Sequence, residues 1–200
     1  MAECIECKSY TKFEGGLCTK CYAHKKENEK STEADEHGLT NDQYSYRYNM
    51  IKGRIGETLI QELFLSLKFD VFRYGMENTI PGIMELLKGV RSDVADDIRR
   101  MPDFVVRNPK TNEVFFVEVK FRANETFTKK DLPKNYPYKN AYIILVSKKH
   151  IKCITVEELE DGKEISPESK NYLGKRKEFD LEKDVILDFC EFAVKFFANV

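Results

Sequence analysis

The run AYIILVS at residues 141–147 constrains this chain most. A strand with one face in water alternates apolar and polar residues, because successive side chains point to opposite faces. This run is apolar almost throughout, so it reads as an interior strand covered on both sides. A strand of that kind needs a sheet around it and packed layers on each face. Residues 69–74, 103–107, 113–121 and 151–156 supply the other strands. Asn108-Pro109-Lys110-Thr111-Asn112 carries the turn residues of a hairpin between the second and third of these. In residues 53–67, Ile55, Leu59, Ile60, Leu63, Phe64 and Leu67 recur at helical spacing. Residues 184–197 form a last helix, broadly apolar around Val185, Phe189, Phe192, Phe196, Ile186, Cys190, Ala193 and Phe197. Residues 75–100 read as a loop with short helices. The predicted fold class is α/β, a mixed β-sheet flanked by helices and preceded by a small zinc-binding module.

That module rests on four of the six cysteines, which cluster before residue 22. Cys4-x2-Cys7-x10-Cys18-x2-Cys21 is a pair of CxxC knuckles, and four thiolates at this spacing suit a tetrahedral Zn²⁺. Each two-residue gap lets two sulfurs point at one ion, and Gly15-Gly16 allow the chain to turn back between the knuckles. Twenty-four residues have no core of their own, so metal would supply the folding energy. The segment resembles zinc ribbons and short treble clefs. Lys8, Lys12, Lys20, Lys25 and Lys26 give it a basic side, so contact with nucleic acid and contact with protein both stay open. His24 reads as a surface residue. Residues 25–43 are charged and poor in large apolar residues, which predicts a solvated linker or a mobile charged helix. The predicted organisation is a zinc module at 1–24, a linker at 25–43 and a catalytic-type domain at 44–200.

The predicted hairpin carries the sharpest chemistry. Glu118 and Lys120 lie two apart in FFVEVKF, so they share a face, and Val117, Val119 and Phe121 share the other. A charged pair in an apolar strand is expensive to bury unless it is paired or binds something. Asp103 opens the neighbouring strand, where pairing brings it beside Glu118. Two facing carboxylates repel, and a divalent cation with oxygen ligands relieves that repulsion.

Pro102-Asp103 followed by Glu118-Val119-Lys120 resembles the PD-(D/E)xK nuclease superfamily. KGRIGE at residues 52–57 is similar to the start of that superfamily's first core helix, and residues 52–156 are laid out like restriction-endonuclease-like domains and archaeal Holliday-junction resolvases. The resemblance implies that Asp103 and Glu118 ligate Mg²⁺ or Mn²⁺, with the carbonyl of Val119 as a further ligand. It implies that Glu57 joins directly or through water, and that Lys120 positions the attacking water. Activity would be hydrolysis of phosphodiester bonds in DNA.

Net charge taken alone opposes such a partner, because 33 basic side chains face 34 acidic ones. The average hides a division. Residues 44–155 hold 20 basic against 13 acidic side chains, while both flanks are acidic. Lys52, Arg54, Arg99, Arg100 and Arg122 stand nearest the proposed site in sequence and would hold phosphates. Arg73, Lys129, Lys130, Lys134 and Lys139 add to them. Tyr44, Tyr46, Tyr136 and Tyr138 would stack on unpaired bases. No base-reading motif is present, so structure or ends would be read before sequence. RNA is an open alternative substrate. The rival class is a non-catalytic binding module on the same fold. The apolar last helix leads us to expect a homodimer. No run reaches the length needed to span a bilayer, and the polar start Met1-Ala2-Glu3-Cys4 does not read as an export signal. A cytoplasmic location with reduced thiols is therefore expected, with Cys153 and Cys190 as core residues.

Overall fold

The computed structural model describes residues 2–11, 16–31, 40–75 and 82–198, with the side chains of 26–31 and of Met84 left aside. The chain divides into two compact units, Met1–Ile51 and Lys52–Val200.

In the first unit, strands β1 (Ala2–Glu3) and β2 (Tyr10–Thr11) pair antiparallel, with Ala2 opposite Thr11. The turn between them is the first knuckle. Lys8 takes a left-handed φ of 61°, its N–H reaches the Cys4 carbonyl at 3.0 Å, and the Cys4 N–H reaches Ser9 at 2.8 Å. Helix α1 (Thr19–Ser31) starts directly after Cys18, so Cys21 falls in its first turn. Of the linker or charged helix expected over residues 25–43, residues 25–31 are the end of α1, residues 41–43 begin the next helix, and residues 32–39 lie outside the described residues. Residues 12–15, with Gly15 of the expected turn, lie outside the described residues.

Helix α2 (Asn41–Ser66) begins twelve residues before the apolar pattern does. The early start has a local cause. The Gln43 N–H donates to Thr40 Oγ1 at 3.3 Å and the Thr40 N–H to Gln43 Oε1 at 3.2 Å, a reciprocal cap. Tyr44 and Tyr48 then stack one turn apart at 6.0 Å.

The second unit is built on five strands in chain order: β3 (Asp70–Arg73), β4 (Phe104–Arg107), β5 (Val114–Phe121), β6 (Tyr142–Val146) and β7 (Ile151–Thr155). All neighbours are antiparallel except β5–β6, which run parallel. The sheet is thus mixed, as the pattern predicted. The β4–β5 hairpin turns as expected: Asn108 Oδ1 accepts from the Lys110 N–H at 2.9 Å, and Asn112 takes φ 60°. Asp103 itself stands one residue before β4, outside the ladder.

One face of the sheet packs on Leu59, Ile60, Leu63 and Phe64 of α2 and on Ile186, Phe189, Ala193 and Phe197 of the last helix, α6 (Lys183–Phe197). Val117, Val119, Ile144 and Val146 line it from the strands. Burying each large side chain there is worth roughly 1.5–3 kcal/mol. The other face offers Ile143, Leu145 and Ile154. The β5–β6 crossover, residues 122–141, covers it with Phe127 and Tyr136, and the short helix α5 (Val156–Glu160) adds Val156 and Leu159. A parallel crossover commonly holds a helix; this one holds only a single 3-10 turn, Lys129–Asp131. Residues 82–100 form two short helices, α3 (Ile83–Leu86) and α4 (Asp93–Arg99). Residues 76–81 of the expected loop lie outside the described residues. Cys153 is buried as expected, but Cys190 is only half-buried on α6. Helix α6 leaves Leu187, Phe192, Val194 and Phe196 exposed. Among the described residues, no helix is long and apolar enough to cross a membrane.

Candidate metal centres

The first centre is the cysteine cluster. The sulfurs of Cys4, Cys7, Cys18 and Cys21 all lie within 4.8 Å of one another, so together they can hold a metal such as zinc. Cys7 Sγ and Cys18 Sγ are 3.6 Å apart. A tetrahedron of sulfurs at the Zn–S distance has edges of about 3.8 Å. The protonation pattern fits a cation. The Cys18 N–H donates to Cys4 Sγ at 3.2 Å and, with further backbone donors, holds the Cys4 thiol down to about 6. Hydrogen bonds from Ser9 lower Cys7 as well. Cys21 is driven up, because Cys7 and then Cys18 crowd it. Thiolates so crowded need either a shared proton or a shared metal. His24 is exposed, as expected.

The second centre forms where β4 leaves the sheet. Phe104 pairs with Val117, and beyond that step the ladder opens. The freed Val119 N–H donates to Asp103 Oδ2 at 2.7 Å, so the carboxylate takes the place of a strand. The Asp103 carbonyl is held from the other side by the Tyr74 N–H at 2.9 Å. Burial pushes the Asp103 carboxyl well above its usual range, and the nearby Glu118 charge adds to that. Lys120 bridges to Glu118 Oε1, which confirms that the two share a face. Burial opposes the Lys120 charge, but Glu118 and Asp103 outweigh it and raise its pKa above the ordinary value. Glu118 Oε2 is buried and has no hydrogen-bond partner. Two carboxylates, one raised in pKa and the other with an orphaned oxygen, are a donor set that fits a divalent cation.

The other residues singled out in the sequence fall unevenly around this centre. Glu57 on α2 faces Arg73 of β3 at 3.8 Å, and its charge reaches Asp103 only as the weakest of several influences. Among the described residues, the four cysteines are the only group of three or more ligand side chains drawn close enough to share one ion. Arg99 donates to Asp96 at 3.0 Å and to the Val90 carbonyl at 2.8 Å, and Arg100 to Asp96 at 3.1 Å and to the Asn135 carbonyl at 3.3 Å. These two arginines brace α4 and the crossover. Arg122 keeps a loose ion pair with Asp131 at 3.8 Å and stays exposed. Lys52 is half-buried and Arg54 exposed on α2. Tyr44 and Tyr46 are exposed on α2, but Tyr136 is only 8% exposed, so its ring packs instead of offering a face to bases.

Sequence reasoning missed a buried ionic network. Glu125, at a left-handed φ of 55°, accepts from Ser147 Oγ at 2.9 Å and meets His150 Nδ1 at 3.0 Å and Lys152 Nζ at 3.2 Å. Lys152 is buried and also donates to the Ser166 and Pro167 carbonyls. The alternation of strand β7 predicts an inward lysine at this step, a signal that was present and unused. The network ties three loops together.

No family model matches this chain, and searches of curated proteins and of solved structures return no match either.

Proposed function

We propose that this chain is a metal-dependent endonuclease that hydrolyses phosphodiester bonds in DNA and is guided by structure more than by sequence. The observation that supports this best is the meeting of Asp103, Glu118 and Lys120 where the sheet opens. Mg²⁺ or Mn²⁺ held by Asp103 and Glu118, with the Val119 carbonyl as a further ligand and Glu57, which faces Arg73, reaching it through water, would activate water and offset phosphate charge. The chain's own residues do the remaining work. Lys120 keeps its proton at neutral pH, so it acts as a fixed positive charge that orients water and steadies a developing oxyanion, and it does not serve as the base. The Val119 N–H fixes the Asp103 carboxylate in place. Arg54 and Arg122, exposed, are the arginines best placed to meet phosphates; Lys52 is half-buried, and Arg99 and Arg100 are already engaged. The zinc module would assist binding of substrate or partner.

A non-catalytic nucleic-acid or protein binder is the rival, and the direct Glu118–Lys120 bridge favours it, because each charge already has a partner. One experiment separates them. Purified protein with Mg²⁺ is offered plasmid, linear, single-stranded and branched DNA, and RNA of the same forms. The nuclease reading expects cleavage that falls about 10²–10³-fold in Asp103→Ala and in Lys120→Ala. Absence of cleavage, or equal cleavage by both variants, would overturn it. Preference for the RNA panel would reassign the substrate. A homodimer covering Leu187, Phe192, Val194 and Phe196 would bring two such sites together, and a monomer in light scattering at micromolar concentration would remove that part.

A further inference from the structure

Among the described residues, two buried side-chain polar atoms have no hydrogen-bond partner, Glu118 Oε2 and the Tyr136 hydroxyl. Both belong to one neighbourhood. Arg100, three residues before Asp103, donates to the carbonyl of Asn135, which takes a left-handed φ of 55° just before Tyr136. The Tyr136 ring lies 5.8 Å from Tyr138, and Tyr138 lies 5.1 Å from Phe116. Phe116 precedes Glu118 by two residues and shares its face of β5. The crossover is therefore laid along the same side of the strand that carries the carboxylate. Burial raises the Tyr136 pKa, and the charges of Glu118 and then Asp103 raise it further, so the phenol keeps its proton.

A buried phenol is a donor and a buried carboxylate oxygen an acceptor, and leaving either without a partner is costly. They do not bond each other. A water that accepted from the phenol and donated to the carboxylate would satisfy both. Tyr136 also lines a cavity of about 750 Å³ with Lys129, Lys130, Lys134 and Lys139. The same residue thus lines a cavity with four lysines and belongs to the apolar cluster on the face of the sheet that carries Glu118.

We propose that Tyr136 is a positioning residue of this centre, its hydroxyl donating a hydrogen bond to a water held at Glu118 Oε2, the water that attacks phosphorus. The inference rests on the nuclease reading and adds a residue to it. Such a water uses one lone pair on the phenol and one proton on Glu118. Its second lone pair is left for phosphorus. As the water's oxygen bonds phosphorus, its proton passes to the Glu118 carboxylate, the P–O bond to the leaving sugar oxygen breaks, and that oxygen keeps the electron pair and takes a proton from solvent.

The test is Tyr136→Phe in the full, zinc-loaded chain, which keeps the ring and removes an oxygen that bonds no protein group. Melting should match the wild type. Cleavage kcat should fall about 10–100-fold, with KM within about twofold. Mn²⁺ affinity, followed by electron paramagnetic resonance, serves as the second readout. Affinity about tenfold weaker together with the lower kcat places the water in the ion's shell. A lower kcat with unchanged affinity places it on Glu118 alone. Unchanged kcat overturns the proposal, whether Mn²⁺ affinity moves or not, and so does a rise in KM alone. A wild type that neither cleaves nor binds Mn²⁺ in a manner lost in Asp103→Ala ends the nuclease reading, and this proposal with it. A wild type that does both, beside an identical Tyr136→Phe, ends this proposal alone.

Discussion

The two candidate centres of this chain gather their side chains in opposite ways. The cysteines come together through short-range spacing inside a unit whose strands, among the described residues, are two residues long. The carboxylates come together through sheet register, 15 residues apart in sequence, inside a unit with an apolar cluster on each face of the sheet. In the first case a bound metal would be the reason the segment folds. In the second the fold exists first, and it tolerates a site that is locally unfavourable. Metal removal should therefore act on opposite things, on structure in one centre and on chemistry in the other.

The largest expected effect breaks the first centre. Cys18→Ser with Cys21→Ser should abolish zinc binding, read by metal analysis as the loss of about one ion per chain, and should unfold the described residues around it, 2–11 and 16–24. Structural zinc in comparable segments contributes on the order of 10 kcal/mol. A segment that stays folded without metal would dissolve the contrast. Asp103→Asn should have the opposite sign. It keeps an oxygen for the Val119 N–H and removes a carboxylate that burial and Glu118 disfavour, so cleavage is lost while metal-free stability at pH 7 rises by about 1 kcal/mol. A marked fall in melting temperature would show that the second centre, too, is structural.

Smaller effects sharpen the picture of the second unit. Burial alone would raise Glu158, but Arg176 and the Thr155 N–H outweigh it and hold the carboxyl at about 2, against an ordinary 4.5. A depressed acid stabilises the fold above its unfolded pKa and loses that contribution as pH falls through the folded value. Glu158→Gln should cost about 2–3 kcal/mol at pH 7, and the difference from wild type should fade between about pH 5 and pH 2. Thermal or urea melts across that range check it. Gly56→Ala is the mildest. A Cβ there meets Val119, Phe121 and Val146 at 3.9–4.0 Å, ordinary contact distance. The gain in helix propensity should raise stability by about 0.5–1 kcal/mol.

The pattern of legibility follows the same contrast. Period-two alternation placed Glu118 and Lys120 on one face, and the Asn108–Asn112 turn placed Asp103 near them, because both depend on neighbours in sequence. The start of α2 was missed because its cap and stacked tyrosines replace an apolar stripe. Arg99 and Arg100 looked like phosphate ligands beside Pro102-Asp103. Their partners, Asp96 and the Asn135 carbonyl, depend on a helix turn and on a contact 35 residues away. Tyr136 looked like an exposed stacking ring for the same reason. Its burial is decided by the crossover's path over the sheet, which no local period records.

That crossover also sets an order of assembly. The β4–β5 hairpin closes across six residues, whereas the parallel β5–β6 pairing must first bring together the ends of a 20-residue connection with no helix to shorten it. Longer closures come later. Asp103 and Glu118 are then already neighbours, in water, when the crossover that carries Tyr136 settles on its face of the sheet. Pulse-labelled hydrogen exchange should find the β4–β5 amides protected before those of β6, and simultaneous protection would contradict it. A nascent chain would thus pass through a stage in which its acidic pair is assembled, open and free to exchange ions with solvent before the roof is laid.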